Sequence, residues 1–135
     1  NIERVKAVAA ADLPLEQVVR MALPMLARQV VSDRRITGVV KLVIAESRNH
    51  PELATIWRES VVEPGVQLMS GLIAAAQARG EVRPGDPRLF AFGLMGPMVL
   101  SMVWRETFEP VGAEAIDVVK LAEQHVETVL KGMRP

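Results

Sequence analysis

Few side chains in this sequence could do covalent or proton-transfer chemistry, and their spacing is informative. There are two histidines, His50 and His125, and no cysteine. A disulfide framework and any thiolate metal site are thereby excluded. Glu46 and His50 stand four positions apart, a spacing at which a carboxylate and an imidazole can share one helix face and a metal. His50 is followed by Pro51, however, and a helix end running into His-Pro reads as a cap rather than a ligand. Di-iron bundles need glutamate with histidine three residues later, and no glutamate here has that partner. His125 reads as an interface or surface residue rather than a base. Ser32, Ser47, Ser60, Ser70 and Ser101 have no histidine–aspartate arrangement beside them, and no Gly-x-Ser-x-Gly elbow occurs. Phosphate-cradling glycine loops are absent too. With no base–nucleophile or metal set, no enzyme, catalytic residue, metal or cofactor is expected.

Non-covalent binding is better provided for. Seven methionines stand at 21, 25, 69, 95, 98, 102 and 133. Methionine adapts its shape and is over-used on promiscuous binding surfaces. Trp57 and Phe92 offer flat walls, and prolines at 24 and 64 can hold helices apart. The same residues at helical spacing also fill ordinary cores, so periodicity leaves both readings open.

The elements that must carry these residues are helical throughout; no alternating run suggests a strand. A short helix is expected over 2–10. Asp12 and Pro14 punctuate the chain before a second helix with Leu15, Val18, Val19, Ala22, Leu26 and Val30 on one side, kinked or broken near Pro24. Ser32 or Asp33 can cap a third, and Pro51-Glu52 opens a long fourth that Pro64-Gly65 should bend and Gly80 should stop. Asp86-Pro87 opens the next, and a last helix is expected from Ala113 to Lys131 with a seam of Ile116, Val119, Ala122, Val126, Val129 and Met133. The fold expected is all-α, an antiparallel bundle of five or six helices.

Composition narrows the partners. Sixteen Lys and Arg balance sixteen Asp and Glu, so the chain lacks the excess cation that a phosphate backbone or an anionic membrane selects. The stretch from Leu89 to Trp104 is uncharged, but it is shorter than the ~20 apolar residues of a spanning helix and carries two glycines and a proline. It reads as a helix buried on both sides. That helix and the last one hold more apolar surface than one small bundle needs, and a second copy of the chain is the natural cover, since symmetric dimers dominate soluble assemblies.

Two stretches carry a family likeness. The first is KLVIAESRNHPELATIWRESVVEPGVQLMSGLIAAAQARGEVRPGDP, Lys41 to Pro87, and the second its continuation RLFAFGLMGPMVL, Arg88 to Leu100. A helix ends in Glu46, Pro51-Glu52 opens a long bent helix, and that helix closes on Ala74-Ala75-Ala76-Gln77-Ala78-Arg79-Gly80. Glu81-Val82-Arg83 and Asp86-Pro87 follow. Each element is common; their order and spacing resemble the C-terminal domain of TetR/AcrR-type transcription regulators.

The resemblance implies residues 1–11 as the end of a helix linking to a DNA-reading helix-turn-helix domain that this sequence lacks, and 12–135 as an effector-binding and dimerisation domain. It implies a homodimer built on the last two long helices, with Leu100, Val103, Trp104, Val119, Ala122, Val126 and Val129 as interface candidates. It also implies an internal pocket for a small apolar or amphipathic effector, for which the candidates are Met21, Met25, Trp57, Val61, Leu68, Phe92 and Met95. The protein would be a cytoplasmic regulator, most simply a repressor, touching DNA only through the missing domain and touching no membrane. The competing reading is a helical protein–protein module without a small ligand.

Overall fold

A computed structural model describes residues 3, 6, 7 and 12–135. The expected short helix over 2–10 therefore falls largely outside the described residues, as does the linker boundary at 11. Among the described residues there is no strand. Helix α1 spans Leu15–Ser32, α2 Arg34–Glu46, α3 Pro51–Trp57, α4 Glu63–Ala78, α5 Pro87–Val103 and α6 Val118–Met133. A π-helical turn, Arg58–Val62, joins α3 to α4 without a break, and a second, Trp104–Phe108, extends α5 into a 3-10 turn at Glu109–Val111. The all-α class is thus observed, as five continuous rods.

Helix starts follow local chemistry. The Asp33 carboxylate accepts the Arg35 backbone N–H, Asp86 that of Arg88, and Asp117 that of Lys120, each satisfying a donor that the first turn leaves unpaired. Asp117 explains why α6 begins later than the expected Ala113: residues 113–117 form no helix, and the Trp104 indole N–H donates to the Glu114 carbonyl at 2.8 Å. Gly80 and Gly112, both at positive φ, provide the stops. Gly85 is needed for space instead, because a Cβ there would lie 2.7 Å from the Phe90 ring.

The prolines behave differently from one another. Proline cannot donate to the carbonyl four residues back, and its ring crowds that carbonyl. Helix α1 nonetheless continues through Pro24, and α5 through Pro97. Ahead of Pro64 and Pro110 the chain widens instead: the Glu63 N–H bonds the Arg58 carbonyl and the Glu109 N–H the Trp104 carbonyl, five residues back. The bend expected at Pro64 is relieved one turn upstream, as a π-turn.

Helix α6 packs along α1 and α5. Arg20 pairs with Glu127, and Arg83 donates to the carbonyls of Gly132 and Met133, at 2.7 and 2.8 Å, so α6 runs antiparallel to α1 and its C-terminus is closed by the loop before α5. The core gathers Leu15, Val19, Leu23, Ala27 and Val30 of α1 with Ile73 and Ala76 of α4. Ala91, Leu94 and Met98 of α5 and Val118, Ala122 and Val126 of α6 complete it.

Candidate functional site

Helix α5 is the unusual element. Its buried side is Ala91, Leu94, Met98, Ser101 and Met102. The opposite side, at helical steps of three and four, is Leu89, Phe92, Gly93, Gly96, Val99 and Leu100, all exposed and without a single polar side chain. Leu89 and Leu100 are 67% and 61% exposed. The rod Pro87–Val111 is long and apolar enough to cross a membrane by length and composition, yet only 28% of its most apolar window is buried. The expectation of a helix buried on both sides is met on one side by the chain itself and left open on the other. Soluble monomers rarely leave a stripe of this kind uncovered. Gly93 and Gly96 add to the point, since a Cβ at either would meet nothing in this chain. Helix-interior glycine costs about 1 kcal/mol against alanine, and intrachain packing does not demand it here.

The interface candidates divide accordingly. Leu100 lies on the open stripe, Val103 continues it half-buried, and Trp104 is half-buried at its end with its ring 5.5 Å from Phe108. Val119 and Val129 pack half-buried against the core. Ala122 and Val126, at 0% and 3% exposure, are consumed by the core. The seam read from spacing on the last helix is therefore mostly an intrachain seam: α1 covers it, and the residues left on the outside of α6 are largely polar. Sequence spacing locates an apolar stripe; it does not say which of two neighbours takes it.

The seven pocket candidates differ in burial. Trp57 and Met95 pack half-buried against the core, Met25 and Leu68 are half-buried, and Met21, Val61 and Phe92 are exposed. Phe92 lies on the open stripe with the Arg88 guanidinium 5.4 Å above its ring, while Arg88 also holds Glu63 at 3.0 Å. Two grooves are found elsewhere, one of about 600 Å³ walled by Gln77, Ala78, Gly80, Val82, Pro84, Gly85 and Pro135. The other, of about 220 Å³, lies between Pro14–Glu16, Glu81–Val82 and the end of α6. No pocket candidate lines either groove. The Ser70 hydroxyl, on α4, is buried without a hydrogen-bond partner, a cost of about 1–3 kcal/mol that an incoming polar group would relieve.

Polar residues that spacing alone did not assign have definite work. His125, whose sequence position suggests an interface or surface residue, is half-buried with its Nε2 3.1 Å from the Gly93 carbonyl and 3.0 Å from that of Leu94. Gly93 is four residues before Pro97, so its carbonyl is the one that Pro97 leaves without a helical partner. The donor signal was legible in principle: a proline inside one helix calls for a donor from the next. His50 Nδ1 stands 3.4 Å from Glu52 at the exposed start of α3. Among the described residues no three His, Cys, Asp or Glu side chains gather in a metal-holding set. Arg20 holds the Glu127 carboxyl below its ordinary range by hydrogen bond and charge, Arg88 does the same to Glu63, and Arg35 to Asp33.

Fold and surface together define, among the described residues, an all-helical domain whose helix α5 leaves an apolar face unpartnered. The sequence model of the family described as "Tetracyclin repressor-like, C-terminal domain" matches residues 15–122. The chain belongs to that family, and so to the TetR-type transcription regulators as their C-terminal domain. No curated protein and no solved structure matches it.

Proposed function

We propose that this chain is the dimerising and effector-sensing part of a cytoplasmic TetR-type regulator, most simply a repressor, that lets go of DNA when a small apolar or amphipathic molecule binds. The observation that carries the reading is the open stripe of α5. A second copy placed on Leu89, Phe92, Val99 and Leu100 about a twofold axis buries the same stripe on both sides. Leu121 and Val129, one turn to either side of His125 on α6, are half-buried, and His125 bonds the α5 backbone at Gly93. The effector is placed among Met25 of α1, Trp57 of α3, Leu68 of α4 and Met95 of α5, each half-buried, beside the π-turn that follows Trp57 in the long helix. Turns of that kind are common at functional sites. The unpaired Ser70 hydroxyl on α4 favours an amphipathic rather than a wholly apolar molecule. Binding acts only through a difference in affinity between two dimer geometries. No catalysis, metal or cofactor enters.

That no pocket candidate lines either groove favours one alternative, a helical module that binds another protein and no small ligand. One experiment separates the two. The purified chain is examined by native mass spectrometry for a retained small molecule, then titrated with candidate apolar acids and cations while Trp57 emission is followed in a Trp104→Phe background. A saturable change supports sensing. A dimer that answers to no compound and carries none leaves the interaction module.

A further inference from the structure

The Glu106 carbonyl lies in the second π-turn, four residues before Pro110, which has no N–H to offer it. The Lys41 ammonium of α2 donates to that carbonyl at 3.2 Å. The Thr37 hydroxyl, one turn earlier on α2 and only 1% exposed as a residue, stands 2.5 Å from the Glu106 carboxylate. One residue of the second π-turn is thus held twice by one helix, at backbone and side chain. Two attachments on a rigid helix fix rotation as well as distance, which one hydrogen bond cannot do. Thr37 is one of only two buried polar residues among those described, and the other, Ser101, is satisfied within α5 by the Met98 carbonyl at 2.6 Å. A buried hydroxyl aimed at another element marks a contact whose geometry matters.

We infer that Glu106 is a positioning residue through which α2 sets the orientation of the C-terminal end of α5, and hence the affinity of the dimer. The residue lies just beyond Val103 and Leu100, where the stripe ends. The inference rests on the dimer reading given above and adds its control: a displacement of α2 is passed to the open stripe through Thr37, Lys41 and Glu106. The acceptors are arranged for this. The Thr37 hydroxyl carries one proton and has two acceptors, the Glu106 carboxylate and the Arg34 carbonyl at 3.1 Å. It can therefore give up Glu106 for a bond inside its own helix when α2 moves, without stranding its donor.

The test uses the chain without any effector and measures the dimer dissociation constant by sedimentation. Unfolding midpoints are taken on the same samples. Thr37→Val keeps the shape and loses the donor; Thr37→Ser keeps the donor; Lys41→Met removes the ammonium and keeps the stem. Thr37→Val and Lys41→Met should each weaken the dimer about fivefold or more, the lower end of coupling between sites, with native helix content. Thr37→Ser should stay within about twofold of wild type. In a Trp57→Phe background, Trp104 emission should shift with Thr37→Val and not with Thr37→Ser. If Thr37→Val moves the unfolding midpoint while the dimer constant and Trp104 emission stay put, Thr37 is merely structural and the inference is overturned. A wild-type chain that is monomeric would instead remove the dimer reading itself, which is a different failure.

Discussion

Leu100 and Val126 make a matched pair for testing where the dimer face lies, because both are interface candidates from the sequence and the structure buries them differently. Leu100 is 61% exposed and Val126 3%. Full burial of a leucine is worth about 1.5–3 kcal/mol, so covering the exposed share of Leu100 contributes roughly 1–2 kcal/mol per protomer. A twofold interface counts it twice, giving roughly 2–4 kcal/mol, or a factor of about 30 to 1,000 in the dissociation constant. Leu100→Asp loses that much and adds the desolvation of two carboxylates, so the dimer should vanish at micromolar concentration while the monomer keeps its helix content and unfolding midpoint. Val126→Asp should do the opposite: the charge enters the α1–α6 seam, and the fold itself should fail or lose several kcal/mol. Sedimentation velocity with circular dichroism on both variants reads the two effects. A Leu100→Asp chain that sediments as the wild-type dimer would falsify the assignment of the α5 stripe, and a folded but dissociated Val126→Asp chain would contradict the intrachain seam.

Other outcomes follow from the polar contacts. His125→Ala should cost about 1 kcal/mol by leaving the Gly93 carbonyl without a donor, and clearly less in a Pro97→Ala background, where the helix closes that bond itself; equal costs in both backgrounds would remove the link. Glu127 and Glu63 are held below the ordinary carboxyl value of 4.5 by Arg20 and Arg88. Their contribution is therefore complete above that pH and lost as pH falls through the depressed folded values, so the gap in thermal midpoint between wild type and Glu127→Gln should narrow on acidification and in high salt. A gap unchanged down to about pH 2 would mean the Arg20 pair does not form in solution. Trp57→Ala should weaken effector binding by ~1–3 kcal/mol with the dimer intact; unchanged affinity would move the effector elsewhere.

The fold was legible because its signals are local. Asp33, Asp86-Pro87, Pro51, Gly80 and Gly112 punctuate the helices where capping chemistry requires; of the expected α1 stripe Leu15, Val18, Val19 and Val30 are buried, while Ala22 and Leu26 are half-buried and Leu23 and Ala27 take the buried places beside them. The start of α6 was missed because Asp117 competes as a cap with the apparent start at Ala113, and the Trp104 bond to Glu114 decides between them only in three dimensions. The site was less legible. An apolar stripe is the same in sequence whether its own chain or a partner covers it, so Ala122 and Val126 could not be told from Leu100. Pocket walls suffer similarly: Phe92 and Met95 are neighbours along α5, yet one faces outward and the other meets the core.

The prolines tie these points together. In α5 and its continuation, Pro97 and Pro110 have no N–H to give the carbonyls four residues back, and each of those carbonyls is bonded by a basic side chain from a different helix, His125 of α6 and Lys41 of α2. An unbroken helix would keep those carbonyls to itself and touch its neighbours only through apolar contacts, which resist separation but slide easily. Hydrogen bonds to a backbone carbonyl have direction and a short range, so they fix the turn that carries them. The rod that presents the open stripe is thereby registered against the two helices flanking it, at one point in its middle and one at its end. Removing either proline should restore the internal ladder, strengthen the helix, and loosen its registration. A domain built only for stability would gain from that exchange. One whose dimer face must follow its neighbours would lose by it, so Pro97→Ala combined with the Thr37→Val change should weaken the dimer even where it raises the unfolding midpoint.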